Sequence, residues 1–301
     1  MTRRDFVAVT PAASLAARPA ESGRSRFVKS ICSVMFPGGM PLAECLLRAK
    51  SAGFDGLEIR MGDEIKVDST PDQVKRIGEA AQKANVAVAS LWVSQPLSVN
   101  PLNSPDPAVR ARGVESLKQS IEFASYLNCG AVLIVPGRIG AGAKFQVGYQ
   151  DTWDRVTAEF RKALPLAGKA KVILTPENVG NKFLLSPLEM RAFVDQFKSP
   201  WVQAHFDTGN VMAHGYPQDW ILTLGPRIKR MHIKDYKLPN RPEPGRMADL
   251  LQGDVDWKEV MAALVKTGYR GFMSPEIGYD REDPGKINKV SRALDQILAL
   301  A

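Results

Sequence analysis

Four side chains in the second half of the chain are of the types that hold a divalent cation: Glu177, Asp207, His232 and Glu276. Three offer carboxylate oxygen and one offers imidazole nitrogen, a mixed N/O donor set. Each closes a short apolar or β-branched run. The runs are Leu174-Thr175-Pro176-Glu177-Asn178, Phe206-Asp207-Thr208-Gly209-Asn210, Met231-His232-Ile233-Lys234-Asp235 and Ser274-Pro275-Glu276-Ile277. No local motif joins them, because a whole strand–helix unit separates each from the next. Only a fold that gathers strand ends can bring them together.

The elements for such a fold are present. After Lys29, apolar runs of strand length alternate with helical stretches. The pattern predicts strands over 27–36, 56–60, 86–93, 131–135, 171–175, 201–207, 228–233 and 271–277. Helices are predicted over 41–52, 71–84, 107–127, 149–168, 186–197, 217–224, 256–267 and 285–300. Thr70-Pro71, Ser186-Pro187 and Asp256 read as helix starts. Residues 94–106 and 238–253 read as loops rich in Pro with Ser, Asn or Gly. Eight such units argue for an α/β fold, a (β/α)8 TIM barrel, as one catalytic domain over 27–301. An open doubly wound sheet is disfavoured, since no Gly-rich dinucleotide turn follows the first strand. In a barrel the active site lies at the C-terminal strand ends. Neighbouring strands there are about 4.8 Å apart, so four consecutive ends can converge on one ion.

Composition narrows the function classes. The 301 residues are 45% apolar, enough for one large core. No apolar run after the N-terminus is long enough to span a membrane. Cys32, Cys45 and Cys129 are scattered, which suits neither a disulfide framework nor a thiolate metal site. The net charge is +8, and half of it sits in residues 1–29, where Arg3, Arg4, Arg18, Arg24, Arg26 and Lys29 outweigh Asp5 and Glu21. The remainder is too dilute to argue for nucleic acid as a partner. Residues 1–26 read as an export leader: Thr2-Arg3-Arg4-Asp5-Phe6-Val7 resembles a twin-arginine motif, and an apolar stretch and small residues follow. This predicts a periplasmic or exported protein; the alternative is a disordered basic tail on a cytoplasmic one.

The ordered set of strand ends resembles the xylose isomerase-like superfamily, and within it the sugar phosphate isomerase/epimerase group. The residues that carry the resemblance are Leu57-Glu58-Ile59, Glu177-Asn178, Asp207-Thr208-Gly209-Asn210, His232-Ile233-Lys234-Asp235, Gly253-Asp254-Val255-Asp256-Trp257 and Glu276. The resemblance implies that Glu177, Asp207, His232 and Glu276 bind one divalent cation, Mn2+ first, with Mg2+ or Co2+ as alternatives. It also implies a sugar or keto-sugar substrate. Glu177 and Glu276 would act as the acid/base pair in proton transfer through an enediolate held by the cation. Return of the proton to the same carbon makes an epimerase, and return to its neighbour an isomerase. Loss of a β leaving group makes a lyase or dehydratase, acting on an inosose or a 3-keto-glycoside. A non-catalytic sugar-binding barrel is a further alternative. A related nuclease is disfavoured, because its metal cluster needs more histidines than His205, His214 and His232. Epimerases of the family commonly carry a histidine where this chain has Asn210, which counts against ketose 3-epimerase specificity.

Substrate contacts are expected from Glu58, Trp92, Asn210, Lys234 and Asp235. Glu58 ends the second strand and could meet a sugar hydroxyl or a cation such as Arg60; Trp92 ends the third and could stack on a sugar ring. Lys234 shares its strand face with His232. Asp235 either orients a ligand or caps the following loop. His205 reads as a satisfied core histidine, and His214 has no assigned role. No Gly-rich turn follows the seventh or eighth strand, and residues 278–283 are more acidic than basic. A non-phosphorylated substrate is therefore expected. The loop over 238–253 is a candidate for closing over the site or for meeting a second subunit in a homo-oligomer.

Overall fold

A computed structural model of the chain describes residues 26–141 and 144–301. The leader expected over 1–26 thus lies, Arg26 apart, outside the described residues. Eight strands form one sheet: Phe27–Cys32, Gly56–Arg60, Ala87–Trp92, Ala131–Ile134, Ile173–Pro176, Ala204–Asp207, Ile228–Ile233 and Gly271–Pro275. Their order is fifth, fourth, third, second, first, eighth, seventh, sixth, and every pairing is parallel. Between the fifth and sixth strands the sheet closes through short bridges, Leu174 with Val202 and Glu177 with His205. The Leu174 amide donates to Trp201 O at 2.8 Å, and the Gln203 amide to Leu174 O at 3.0 Å. The result is the expected TIM barrel, thinnest at the seam where Glu177 meets the strand of Asp207.

Eight helices follow the strands in alternation: Leu42–Ser51, Pro71–Lys83, Pro107–Tyr126, Tyr149–Ala170, Pro187–Asp195, Pro217–Leu224, Trp257–Thr267 and Lys286–Leu298. The expected caps are formed. Thr70 and Ser186 each make a reciprocal capping box, with Gln73 and Glu189, and the Asp256 carboxylate accepts from Glu259 N at 3.0 Å.

Local differences from the sequence reading have physical causes. The first strand ends at Cys32 and turns into a 3-10 segment, Ser33–Met35, instead of running to residue 36. Within the expected loop over 94–106, Ser94–Val99 is helical. Pro96 sits in the first turn of that helix, where a missing N–H costs nothing, so its presence did not signal a loop. The helix Tyr149–Ala170 tolerates Pro165 and ends when Lys171 adopts a left-handed φ of 56°. That moves the start of the fifth strand to Ile173. Two short antiparallel ribbons decorate the mouth, Gly140–Ala141 with Lys144–Phe145 and Asp235–Lys237 with Arg246–Ala248.

The helix layer on the side of the fifth strand is packed by aromatic rings. Phe193 is fully buried and meets Trp153, Phe160, Phe183 and Phe197 near edge-on, at centroid distances of 5.2, 5.9, 6.0 and 5.5 Å. Such tilted contacts are favoured by the ring quadrupoles. Phe183 lies in the loop that follows Glu177, so this cluster ties the loop to the helices. We expect Phe193→Ala to lower unfolding stability by about 3–5 kcal/mol in denaturant titrations. A loss below about 1 kcal/mol would show that the cluster is not a packing centre.

Candidate metal centre

The barrel brings the four ligand candidates together. One donor atom each from Glu177, Asp207, His232 and Glu276 lies within 4.8 Å of every other. Asp207 and His232 are in register on the paired sixth and seventh strands, while Glu177 and Glu276 follow the last residues of the fifth and eighth. His232 Nδ1 is 2.9 Å from Glu177 Oε1, 3.1 Å from Glu276 Oε2 and 3.8 Å from Asp207 Oδ2. A single ring nitrogen cannot donate to three carboxylates, so the geometry is that of groups facing a common centre.

Asp207 has the division of labour of a ligand. Its Oδ1 accepts from the amides of Gly209 and Asn210, each at 2.9 Å. Its Oδ2 is buried and makes no hydrogen bond among the described residues. The nearest positive charge to it is Lys234 Nζ, 2.9 Å away, an ion pair whose angles do not make a hydrogen bond. Asn178 clamps the strand end from the neighbouring unit: Asp207 N donates to Asn178 Oδ1 at 2.9 Å, and Asn178 Nδ2 to Asp207 O at 3.0 Å. An orphaned carboxylate oxygen beside three more hard or borderline donors fits a divalent cation. Glu177, Asp207, His232 and Glu276 are the residues that would hold it. Lys234 also touches Glu276, so its ammonium supplies positive charge to the same carboxylates.

The electrostatics follow from burial and crowding. Burial pushes the Glu177 carboxyl up to about 7, even against the pull of His232. Glu276 is half-buried, which would raise it, but the charges of His232 and Lys234 outweigh this and bring it down to about 2. His232 is buried, which disfavours its charged form, yet Glu58, Glu276 and Glu177 hold it well above the usual histidine range. Lys234 is half-buried and likewise held protonated, by Asp207 and Glu276. Burial, helped by the nearby charges of His232, Arg230 and Lys234, drives His205 well below the ordinary value, so its ring is neutral.

The other singled-out residues are placed as follows. Glu58 is fully buried; one oxygen lies 2.8 Å from His232 Nε2 and the other accepts from the Ser90 hydroxyl. Arg60 pairs with Asp63 and Glu64 instead. Trp92 is half-buried and lines a cavity of about 490 Å³ with Leu97, Asn103, Arg138 and Val147. The Asn210 side chain donates to Asn178 O at 3.0 Å, so it braces the Asp207 turn. Asp235 is buried and serves the following loop. Its carboxylate accepts from the amides of Tyr236, Gly253 and Val255 and from Trp257 Nε1. This is the loop-capping alternative for Asp235. His205 is buried in the core with its ring 4.2 Å from that of His232, but it is not the satisfied histidine expected: neither nitrogen has a hydrogen-bond partner among the described residues. His214 packs edge-on against Trp220. Sequence reasoning gave no role to Asn178 and Ser90. Their signal was position: Asn178 directly follows a ligand candidate, and Ser90 shares the strand face of Trp92.

Residues 46–297 match the family described as the xylose isomerase-like TIM barrel. An L-ribulose-5-phosphate 3-epimerase, UlaE, of Escherichia coli O1:K1 is 26% identical over 287 residues, covering 90% of this chain and 95% of the relative. D-psicose 3-epimerase from Clostridium cellulolyticum H10, solved with D-tagatose, superimposes with a TM-score of 0.75 at 18% identity, covering 91% of this chain and 99% of that one. The 3-keto-D-glucoside 4-epimerase YcjR of E. coli, in its apo form, gives a TM-score of 0.72 at 14% identity and covers 92% and 100%. At these identities the structural matches speak for the fold. Among the described residues, no helix is long and apolar enough to cross a membrane.

Two outcomes follow from the donor set. Mn2+ should raise the thermal unfolding temperature of the protein, and Asp207→Asn should abolish that rise while leaving the metal-free protein folded. The rise should also shrink as pH falls below about 7, because Glu177 then carries a proton that the ion must displace. Equal stabilisation of wild type and Asp207→Asn, or a rise that grows on acidification, would contradict the donor set.

Proposed function

The chain belongs to the xylose isomerase-like TIM barrel family, and we propose that it is a cation-dependent keto-sugar epimerase or isomerase. The observation that carries this reading is the pair of carboxylates at opposite ends of the ligand row. Glu177 and Glu276 reach one imidazole nitrogen from the fifth and eighth strands, at 2.9 and 3.1 Å. Two carboxylates that reach one point from separate strands can serve as an acid and a base.

A bound divalent cation would supply Lewis-acid polarisation of the substrate carbonyl. The protein's own groups then move one proton. Glu276, ionised at neutral pH, accepts the proton from the carbon beside the carbonyl, and the C–H electron pair moves to give the enediolate. Glu177 faces the substrate from the other strand and returns a proton from its own side. Delivery to the same carbon inverts it; delivery to the adjacent carbon shifts the carbonyl. In the reverse direction the two exchange roles. Lys234 sits at the rim of the ligand set with its ammonium toward both Asp207 and Glu276, where it also offsets charge developing on a substrate oxygen. Trp92 offers a ring face at the mouth.

The names of the relatives favour inversion beside a ketose carbonyl over carbonyl migration, and they outweigh the expectation drawn from Asn210. Non-phosphorylated substrates are the better fit to the eighth loop. There Lys286 lies 3.3 Å from Asp249, and Lys289 pairs with Asp283 at 2.7 Å, so neither is left free for a phosphate. The test is incubation of the Mn2+-loaded protein in deuterated water with ketoses, their 5-phosphates and 3-keto-glycosides, followed by NMR. Deuterium should enter at a carbon beside the carbonyl with no loss of mass. Glu177→Gln should slow exchange by at least about 100-fold in samples checked to retain metal. Loss of water or of an aglycone would make the protein a lyase instead. Exchange unaffected by Glu177→Gln, or none with any substrate class, would count against the proposal.

A further inference from the structure

Glu58 and Ser90 face each other in register on the second and third strands. Both are buried, and neither belongs to the four-residue donor set. The Ser90 hydroxyl donates to one oxygen of Glu58, and the other oxygen lies 2.8 Å from His232 Nε2. We propose that Glu58, held by Ser90, is a positioning residue: it fixes the ring and the tautomer of His232 so that Nδ1 is the nitrogen presented to the cation. This rests on the metal reading of the centre.

An imidazole coordinates only through a nitrogen that carries no hydrogen, and the neutral ring has one N–H to place. A carboxylate at Nε2 requires that hydrogen on Nε2. The lone pair is then on Nδ1, the nitrogen that faces Glu177, Glu276 and Asp207. With one oxygen taken by Ser90, the Glu58 carboxylate cannot rotate without breaking a second bond. The opposite constraint comes from His205. Its ring stands at 63° to that of His232 with no hydrogen bond of its own among the described residues, so it acts as a wall and not as a competing partner. The ring is thus held by contact on one side and by a charged acceptor on the other. A carboxylate behind a ligating histidine commonly governs metal affinity as well as geometry.

The readout is metal binding, not turnover. Free Mn2+ is followed by electron paramagnetic resonance during titration of wild type, Glu58→Gln and Ser90→Ala, and the visible absorption of each Co2+-loaded protein is recorded. We expect Glu58→Gln to weaken Mn2+ binding by about 10- to 100-fold and to shift the Co2+ bands. Ser90→Ala should have a smaller effect in the same direction, and Ser90→Thr should restore affinity. If Glu58→Gln does not fold, Ser90→Ala and its rescue decide the matter. A wild-type protein that takes up no Mn2+ overturns the metal reading and this inference with it. A wild type that binds one ion, with variants of unchanged affinity and unchanged Co2+ spectra, overturns the role of Glu58 alone.

Discussion

Like charges forced together out of water are the constraint around which this barrel is built. Glu58, Glu177, Asp207 and Glu276 converge on one imidazole, and burial denies all but Glu276 contact with solvent. Such an arrangement is costly unless positive charge compensates it. In the protein alone the compensation comes from a protonated His232 and from Lys234. Both are held charged by the carboxylates around them, against the effect of burial. A divalent cation would satisfy the same carboxylates with a more concentrated charge and would use the oxygen of Asp207 that no hydrogen bond reaches.

The scaffold keeps the groups apart enough to hold an ion and close enough to share it. Parallel strands fix the spacing of the ends, and the loops are then anchored by side chains that do no chemistry. Asn178 joins the Glu177 and Asp207 units across the weakest seam of the sheet. Asp235 collects three backbone amides and an indole, and so binds the ribbon after the seventh strand to the start of the next helix. Rigid support of this kind holds catalytic groups in a working geometry.

The barrel was legible in the sequence because buried parallel strands are apolar throughout and end where polar residues begin. The same feature exposed the four ligand candidates: a polar residue at the end of an apolar run has few reasons to be there. Glu58, Asn210 and Asp235 were also visible as polar residues at strand ends, but their partners were not. Asn210 lies against Asn178, and Glu58 against His232, 174 positions away. No local pattern records such distances. The helix Ser94–Val99 escaped notice because its proline lies in the first turn, where proline is compatible with helix. Lys171 hid a helix end, since its left-handed backbone is unusual for a lysine and leaves no mark in composition.

Crystals grown with Mn2+ and measured at its absorption edge give the most direct test of the central claim, that four scattered side chains share one cation. The account predicts a single anomalous peak in the barrel mouth, bonded to Glu177, Asp207, Glu276 and Nδ1 of His232. A peak elsewhere, or a fully formed barrel with no peak and Lys234 still seated between Asp207 and Glu276, would contradict it.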